Sequence, residues 1–368
     1  MAGAWRIEKS WSPPTPFRQM QPAPIPPIGI AICKRSVPEN VRGQDDSGVE
    51  AFAVDMSCCF VTPFWSETGR GNQGAAIEVL KRSALRVARY ILGHTEVFMG
   101  LGKQVRLNRL FSHPSGRLCS VAVDHFVGYS DHLPEGLANL PRTLAQIVAA
   151  RPDAVTMTKG TALSCWGPHA GKTPMILQAA CFTVDERINE VITNPEECIR
   201  CGADALAVAI CVRGPSEGAF IKKLSDAVTA AAKYDLPVVA HIYPKTFGQE
   251  GTKIVHDADN IFWATRVGIE CGADVIKVGY TGDPVSFGQI VSSCPVPVVA
   301  AGGPKNETLE DALTLMEGVV KSGARGATIG RNIWGHSDIG EALRAFKAVI
   351  QDGLSPVDAI AAARGQRG

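Results

Sequence analysis

Short apolar runs alternate with longer, alanine-rich polar segments along most of the chain. Runs rich in β-branched residues predict eight strands, at residues 120–124, 154–158, 174–178, 205–209, 237–241, 274–278, 295–299 and 326–330. Apolar residues at helical spacing predict helices between them, for instance over residues 220–234, 261–271 and 309–322. Gly202, Gly272 and Gly323 each end such a helical segment just before a strand, and a glycine adopts the left-handed cap conformation at little cost. The pattern predicts a repeated βα unit.

Eight βα units favour a closed barrel over an open sheet. About 250 residues are typical of a (β/α)8 TIM barrel, and a doubly wound open sheet usually has fewer strands. The first part of the chain differs, because prolines crowd residues 13–27 and residues 42–48 are polar. We therefore predict an irregular N-terminal extension over residues 1–75 and an α/β TIM barrel over residues 76–368, whose first helical segment covers residues 75–92.

Composition excludes several classes of partner. The chain has 37 Lys plus Arg against 36 Asp plus Glu, so it lacks the charge excess that attracts a nucleic acid or an anionic membrane. Its 11 Cys have no framework spacing, which indicates reduced thiols inside a cell, and a lone CxxC at Cys198 and Cys201 has no second pair. The histidines form no ligand-spaced set. We expect a cytoplasmic protein without a metal ion.

In a TIM barrel the reactive side chains lie at the carboxyl ends of the strands. Asp124 and His125 follow the first predicted strand, and Lys277 lies within the sixth. A lysine inside an apolar strand loses hydration, so it is either a structural ion pair or a neutral amine that forms a Schiff base with a ketone. Asp124 has an alternative role, which is to bind loop amides.

Tyr243 ends the fifth predicted strand, and Pro244 is expected to turn the chain out of the sheet there. Its phenol then either points across the barrel mouth or packs at the rim. His241 shares the face of Tyr243 by strand alternation, so it either reaches the same cavity or is a core histidine.

Glycine-rich loops follow the seventh and eighth predicted strands. They contain Gly302 and Gly303 in the first loop and Gly330 and Arg331 in the second. Glycines let backbone N–H groups approach a phosphate, and an arginine binds its oxygens as a fork. Either loop alone is an ordinary turn; together, at these two strands, they predict a phosphate site.

Six stretches resemble one enzyme family, at residues 101–111, 123–125, 242–245, 272–283, 297–305 and 330–334. Their order and spacing resemble the archaeal-type class I aldolases of the deoxyribose-phosphate aldolase and LacD superfamily, which include the 2-amino-3,7-dideoxy-D-threo-hept-6-ulosonate synthases and archaeal-type fructose-bisphosphate aldolases. The resemblance implies a homo-oligomer that needs no cofactor. It implies that Lys277 is the Schiff-base lysine, that Tyr243 is the proton donor and that Asp124 is the base. It also implies that the substrate or its phosphate is bound by His125, Lys245, Gly302, Gly303, Gly330 and Arg331.

Two positions depart from the family pattern and leave the substrate open. Phe126 stands where the family usually has glycine, and Lys245 stands where it usually has arginine, whose bidentate contact a lysine does not reproduce. The resemblance predicts a Schiff-base aldolase for a phosphorylated ketose or ketone, such as a fructose-1,6-bisphosphate-like phosphosugar. The alternatives are transaldolase- or thiolase-like transfer on a phosphorylated dione, and a non-catalytic phosphosugar-binding barrel.

Overall fold

The computed structural model describes residues 100–125, 134–182, 189–248 and 251–365. Eight parallel strands form a closed barrel in this part of the chain: β1 Leu118–Ala122, β2 Ala154–Thr158, β3 Met175–Gln178, β4 Ala205–Val212, β5 Val238–Gly248, β6 Val275–Val278, β7 Val298–Ala301 and β8 Gly326–Ile329. Each strand pairs with the next in sequence, and β8 pairs with β1, which closes the barrel. The predicted strands and the TIM barrel are confirmed.

Helices follow most strands: α1 Leu101–Leu110, α2 Leu140–Ala149, α3 Lys159–Cys165, α4 Pro195–Arg200, α5 Glu217–Ala232, α6 Ala258–Glu270, α7 Pro284–Ser292, α8 Leu309–Lys321, α9 Arg331–Trp334, α10 Ile339–Lys347 and α11 Pro356–Gly365. A π-helical turn, Ala348–Asp352, follows α10, and short 3-10 turns cover Glu135–Leu137 and Gly167–His169. The helices predicted over residues 220–234, 261–271 and 309–322 are confirmed within a few residues. Within the described ranges, each helix is too short or too polar to cross a bilayer.

The predicted extension over residues 1–75 and the predicted helix over residues 75–92 lie outside the described residues. The domain boundary that we place at residues 75 and 76 therefore remains a prediction.

Helix α1 seals the amino-terminal end of the barrel. Leu107, Leu110 and Phe111 pack against the lowest inward-facing side chains, which are those of Leu118, Ala154, Ile176, Ala205, Ala207, Val239, Val275 and Val299. A second, larger apolar cluster includes the outward-facing side chains of the strands and the buried faces of the helices. Because side chains alternate along a strand, the residues two positions above this floor also face the barrel axis. The inner polar residues of the chain occupy those higher positions.

Two aspartates hold α1 in place, and both belong to the Gly-Ala-Asp turns that precede strands. Asp274 accepts hydrogen bonds from Lys103 Nζ at 2.9 Å and from the Val238 amide at 2.9 Å. Asp204 pairs with Arg109 at 3.1 Å. The glycines of these turns have positive φ, 75° at Gly202 and 78° at Gly272, as predicted for helix caps. The repeated turn thus both ends a helix and anchors the barrel floor.

Pro244 does not end the fifth strand, so the expectation that the chain turns out there is wrong. Val212 and Pro244 are the last paired residues of β4 and β5, and beyond them β5 continues as an antiparallel hairpin with the strand Gly251–Ile254. Proline lacks an N–H, so a strand tolerates it where one set of ladder hydrogen bonds gives way to another. Pro244 thus marks the point where β5 changes its partner strand from β4 to Gly251–Ile254.

Replacement of Asp274 by alanine tests the anchor of the floor. The change leaves Lys103 and the Val238 amide without their acceptor, so we expect the free energy of unfolding to fall by about 2–4 kcal/mol in urea titrations. Asp226→Ala is the control, since its pair with Lys222 is exposed and i,i+4, and we expect it to cost less than about 0.5 kcal/mol. Equal losses in the two variants would contradict the anchor.

Candidate active site

Lys277 lies on the inner face of β6, two residues above the floor residue Val275. Its side chain is 5% exposed, and it is the register partner of His241 on β5 and of Val299 on β7. In the described part of the chain, no hydrogen bond or ion pair engages its ammonium group. The structural ion pair considered as an alternative is therefore not found among these residues, and the amine faces the barrel interior.

Two histidines lie in the electrostatic field of Lys277. Burial lowers the pKa of His125 to about 4, an effect that Asp124 opposes and that the charges of Lys277 and Arg331 reinforce. Burial lowers the pKa of His241 well below its usual range, and Lys277 and His125 lower it further. Both imidazoles are therefore neutral at physiological pH. They provide polar surroundings for the lysine without adding a second positive charge.

Asp124 follows β1 and is buried on the axial side of the barrel. Gln178, the last residue of β3, donates a hydrogen bond from Nε2 to Asp124 Oδ2 at 2.9 Å. The other carboxylate oxygen, Oδ1, lies 3.6 Å from Nδ1 of His125. The carboxylate is thus stabilised by a neutral amide, and no described lysine or arginine pairs with it.

Gln178 also connects Asp124 to the histidine beside Lys277. Its Nε2 lies 3.3 Å from Nδ1 of His241. Since the amide nitrogen is the donor, Nδ1 accepts, and the proton of the neutral imidazole is on Nε2. The sequence analysis did not select Gln178, although a glutamine that ends an apolar strand is a detectable signal. The interpretation of His241 as only a core residue is too narrow, because its ring belongs to this network.

The remaining two predicted strand-end residues lie further along β5. Tyr243 is buried and follows His241 by two residues, so alternation places it on the same side of the strand. Lys245 is 1% exposed, and its Nζ lies 5.6 Å from the centroid of the Phe220 ring, at the start of α5. These contacts do not place Lys245 in the cluster of Lys277, Asp124 and His125, and its role in substrate binding remains a prediction. Phe126 lies outside the described residues.

The two glycine-rich loops meet beside His125. A Cβ on Gly330 would lie 2.4 Å from Cε1 of His125, and a Cβ on Gly302 would lie 2.8 Å from the Ile329 Cα, so both positions require glycine. Gly303 has a φ of 70°. Arg331 donates from a guanidinium nitrogen to the Gly303 carbonyl at 3.0 Å and so joins the two loops. The residues predicted to bind phosphate therefore come together; we call Gly302, Gly303, Gly330 and Arg331 the glycine cup.

Asn332 fixes the shape of the glycine cup from behind. Its Nδ2 lies within hydrogen-bond distance of the carbonyl oxygens of Gly302, 3.0 Å, and Pro304, 2.9 Å. Its Oδ1 accepts from the Asn306 amide at 2.8 Å. One buried side chain thus connects the loops after β7 and β8. Sequence reasoning missed this role, because Asn332 follows the conspicuous Gly330 and Arg331 in the same motif.

The lone CxxC pair, Cys198 and Cys201, lies on and next to α4. Cys198 is fully buried, and burial raises the pKa of its thiol to about 12. A reactive cysteine needs an accessible thiolate. This geometry favours a packing role.

Comparison with known proteins identifies the family. The model of the DeoC/LacD family aldolases matches residues 118–336. The chain is 32% identical over 268 residues to a 2-amino-3,7-dideoxy-D-threo-hept-6-ulosonate synthase of Halobacterium salinarum, a match that covers 71% of this chain and 96% of that protein. It is 31% identical over 254 residues to a class 1 fructose-bisphosphate aldolase of Thermoproteus tenax, covering 67% of this chain and 93% of the relative.

A solved structure gives the same result. A Schiff-base-forming fructose-1,6-bisphosphate aldolase superposes with a TM-score of 0.60 at 30% identity, and the match covers 67% of this chain and 99% of that one. The residues that the family model matches, 118–336, include all eight strands and every residue of the site described above. The chain belongs to the DeoC/LacD aldolase family and is a class I aldolase, a lyase.

Proposed function

We propose that the enzyme makes or breaks a carbon–carbon bond of a phosphorylated ketose or ketone through a Schiff base on Lys277. The observation that carries the proposal is a buried lysine, without an ionic partner among the described residues, inside the barrel beside neutral histidines. The names of the relatives support it, since they include fructose-bisphosphate aldolases and a Schiff-base-forming enzyme. Analogy of fold alone would not choose the chemistry.

The reaction begins when Nζ of Lys277 attacks the carbonyl carbon of the substrate. The carbinolamine loses water and becomes a protonated iminium, which accepts the electron pair of the carbon–carbon bond during cleavage. The products of that step are an enamine and an aldehyde. The enamine then takes a proton at carbon, and water releases the ketone and regenerates the amine.

Asp124 and Tyr243 are proposed to move the protons. The Asp124 carboxylate faces the same interior as Lys277 and is proposed to accept a proton from a substrate hydroxyl. Tyr243, on the side of β5 that carries His241, supplies or receives a proton at the reacting oxygen or carbon. His125 lies between Asp124 and the glycine cup, where a neutral imidazole donates or accepts a hydrogen bond to the substrate.

The glycine cup is proposed to hold the phosphate. Backbone N–H groups and the Arg331 guanidinium are suited to an anion, and the fixed phosphate keeps the carbonyl in reach of Lys277. The side chain of Lys245 is proposed to contribute to substrate binding as well. A cytoplasmic location and a homo-oligomeric state stay predictions that follow from composition and resemblance.

Borohydride reduction tests the Schiff base directly. With dihydroxyacetone phosphate and borohydride, we expect a covalent adduct on the peptide that contains Lys277, detected by mass spectrometry, and no adduct in Lys277→Met. The control is Lys347→Met, since Lys347 binds the Arg151 carbonyl at the opposite end of the molecule from the predicted site, and it should keep the adduct. An adduct on another lysine, or none with a panel of phosphorylated ketones, would overturn the assignment.

Substitution of Gln178, with Gln351 as the control, tests whether the hydrogen bond to Asp124 supports catalysis. Gln178→Met retains volume but removes the amide donor, so we expect kcat to fall by about 10- to 100-fold while KM changes little. Gln351→Met removes a similar bond, from Nε2 to Asp153 Oδ2 at 2.7 Å, far from the glycine cup. Both changes should lower the stability by about 1–3 kcal/mol. The role of Gln178 is refuted if its variant loses stability but keeps full kcat.

Asn332→Asp tests the glycine cup. A carboxylate oxygen would face the carbonyl oxygens of Gly302 and Pro304, which separates the two loops, so we expect KM for dihydroxyacetone phosphate to rise by about tenfold or more. Trapping of unphosphorylated dihydroxyacetone should stay unchanged. Asn194→Asp is the control, since the Asn194 side chain caps α4 as an acceptor and aspartate does the same. An equal rise of KM for both ketones would argue against phosphate binding by the cup.

A further inference from the structure

A cleft opens beside Asp124 at the carboxyl ends of β1 and β2. Its volume is about 560 Å³, and its walls include Leu137, Leu140 and Pro141 on one side and Thr158, Thr161 and Cys165 on the other. Asp124 lies at its inner end and is also the residue that Gln178 holds inside the barrel. The cleft therefore connects with the proposed acid–base group and does not lie on a remote surface.

The order of the strands places this cleft opposite Lys277. Three strands separate β6 from β2 in either direction around the closed barrel, whereas the glycine cup follows β7 and β8. If the proposed function is correct, a ketone with its carbonyl carbon on Lys277 and its phosphate in the cup can extend its remaining carbons across the barrel, past Asp124 and towards the cleft.

The walls of the cleft are unsuited to a second phosphate. Among the described residues that line it, the only ionisable side chains are those of Asp124 and Cys165, and there is no lysine, arginine or histidine. A carboxylate repels a phosphate dianion at close range.

The helix that borders the cleft does not replace the missing cation. Helix α2 begins there, but its cap residue Asn139 already accepts the Arg142 amide at 3.1 Å, and Pro141 has no N–H to offer. Lys159, the first residue of α3, pairs with Glu197 at 2.6 Å. The capping side chain of α2 and the lysine at the start of α3 are thus both engaged in local contacts.

We infer that the cleft receives the aldehyde half of the substrate as an uncharged and largely apolar chain. The preferred ketose is then a monophosphate, whose single phosphate binds in the glycine cup. This inference rests on the proposed function and narrows it, because it separates the enzyme from the bisphosphate aldolases among its relatives. Leu137, Leu140 and Thr161 determine the preferred aldehyde.

An acceptor comparison tests the inference. With dihydroxyacetone phosphate as donor, kcat/KM for carbon–carbon bond formation is measured with glyceraldehyde 3-phosphate, glyceraldehyde and pentanal. We expect both unphosphorylated aldehydes to exceed glyceraldehyde 3-phosphate by about tenfold or more, because the phosphorylated one brings a dianion next to Asp124. An equal or higher value for glyceraldehyde 3-phosphate would overturn the inference.

Two substitutions at one position separate charge from size. Thr161→Arg places a cation in the cleft and should raise kcat/KM for glyceraldehyde 3-phosphate by about tenfold relative to glyceraldehyde. Thr161→Gln adds a long polar side chain without the charge and should leave that ratio unchanged. If the two variants change the ratio equally, the cleft does not contact the acceptor phosphate position and the inference fails.

Borohydride trapping with the donor alone distinguishes a failure of the proposed Schiff-base function from a failure of the role assigned to the cleft. If dihydroxyacetone phosphate forms no adduct on Lys277, the proposed function itself fails. If the adduct forms normally and glyceraldehyde 3-phosphate remains the best acceptor, the Schiff-base function stands and only the assignment of the cleft is wrong.

Discussion

Inside the barrel, the Asp124 carboxylate accepts a hydrogen bond from the neutral amide of Gln178, although Lys277 faces the same interior. A direct pair between Asp124 and Lys277 would be the simplest way to bury both groups, but it would hold the amine as an ammonium ion. Gln178 provides an alternative donor, and its second contact is with His241, whose pKa burial lowers well below its usual range. The Asp124 carboxyl group and the Lys277 amine therefore both face the barrel interior, and among the described residues they do not form a pair with each other.

The position of this network depends on the lower half of the barrel. Apolar side chains and helix α1 fill the amino-terminal end, so polar residues begin only two positions higher, as at Ser120, Gln178 and Lys277. Ser120 and Thr328 satisfy each other by a hydrogen bond of 2.7 Å at that level. Because the floor is sealed, substrate approaches from the carboxyl ends of the strands, where the loops carry the glycine cup and the cleft. Stability and chemistry are thus concentrated at opposite ends of one barrel.

Much of this organisation is visible in the sequence, and the exceptions have physical reasons. Strand runs and helix-capping glycines are local signals, which is why the eight strands and the barrel agree with prediction. The two glycine loops lie together as well, and phosphate binding by them stays a proposal. The partners of Gln178 and Asn332 are distant in sequence or lie on other strands and loops, so a local pattern marks these residues at most and does not reveal their contacts. Pro244 was misread because the rule for proline assumes an ordinary ladder, and here β5 exchanges one partner strand for another. Helix α1, which seals the floor of the barrel, was not predicted from the sequence, because its apolar face is short.

The glycine cup and the cleft differ in how they are made, and this has a consequence for the evolution of new activities. The cup uses backbone groups of two loops that Asn332 and Arg331 lock together, so few substitutions alter it without damage. The walls of the cleft are ordinary side chains at the ends of β1 and β2 and the starts of their helices. With the roles proposed above for the cup and the cleft, a lineage with this scaffold would retain the phosphorylated half of its reactant and exchange the other half by point mutation, so sequence divergence among such enzymes should concentrate in those walls.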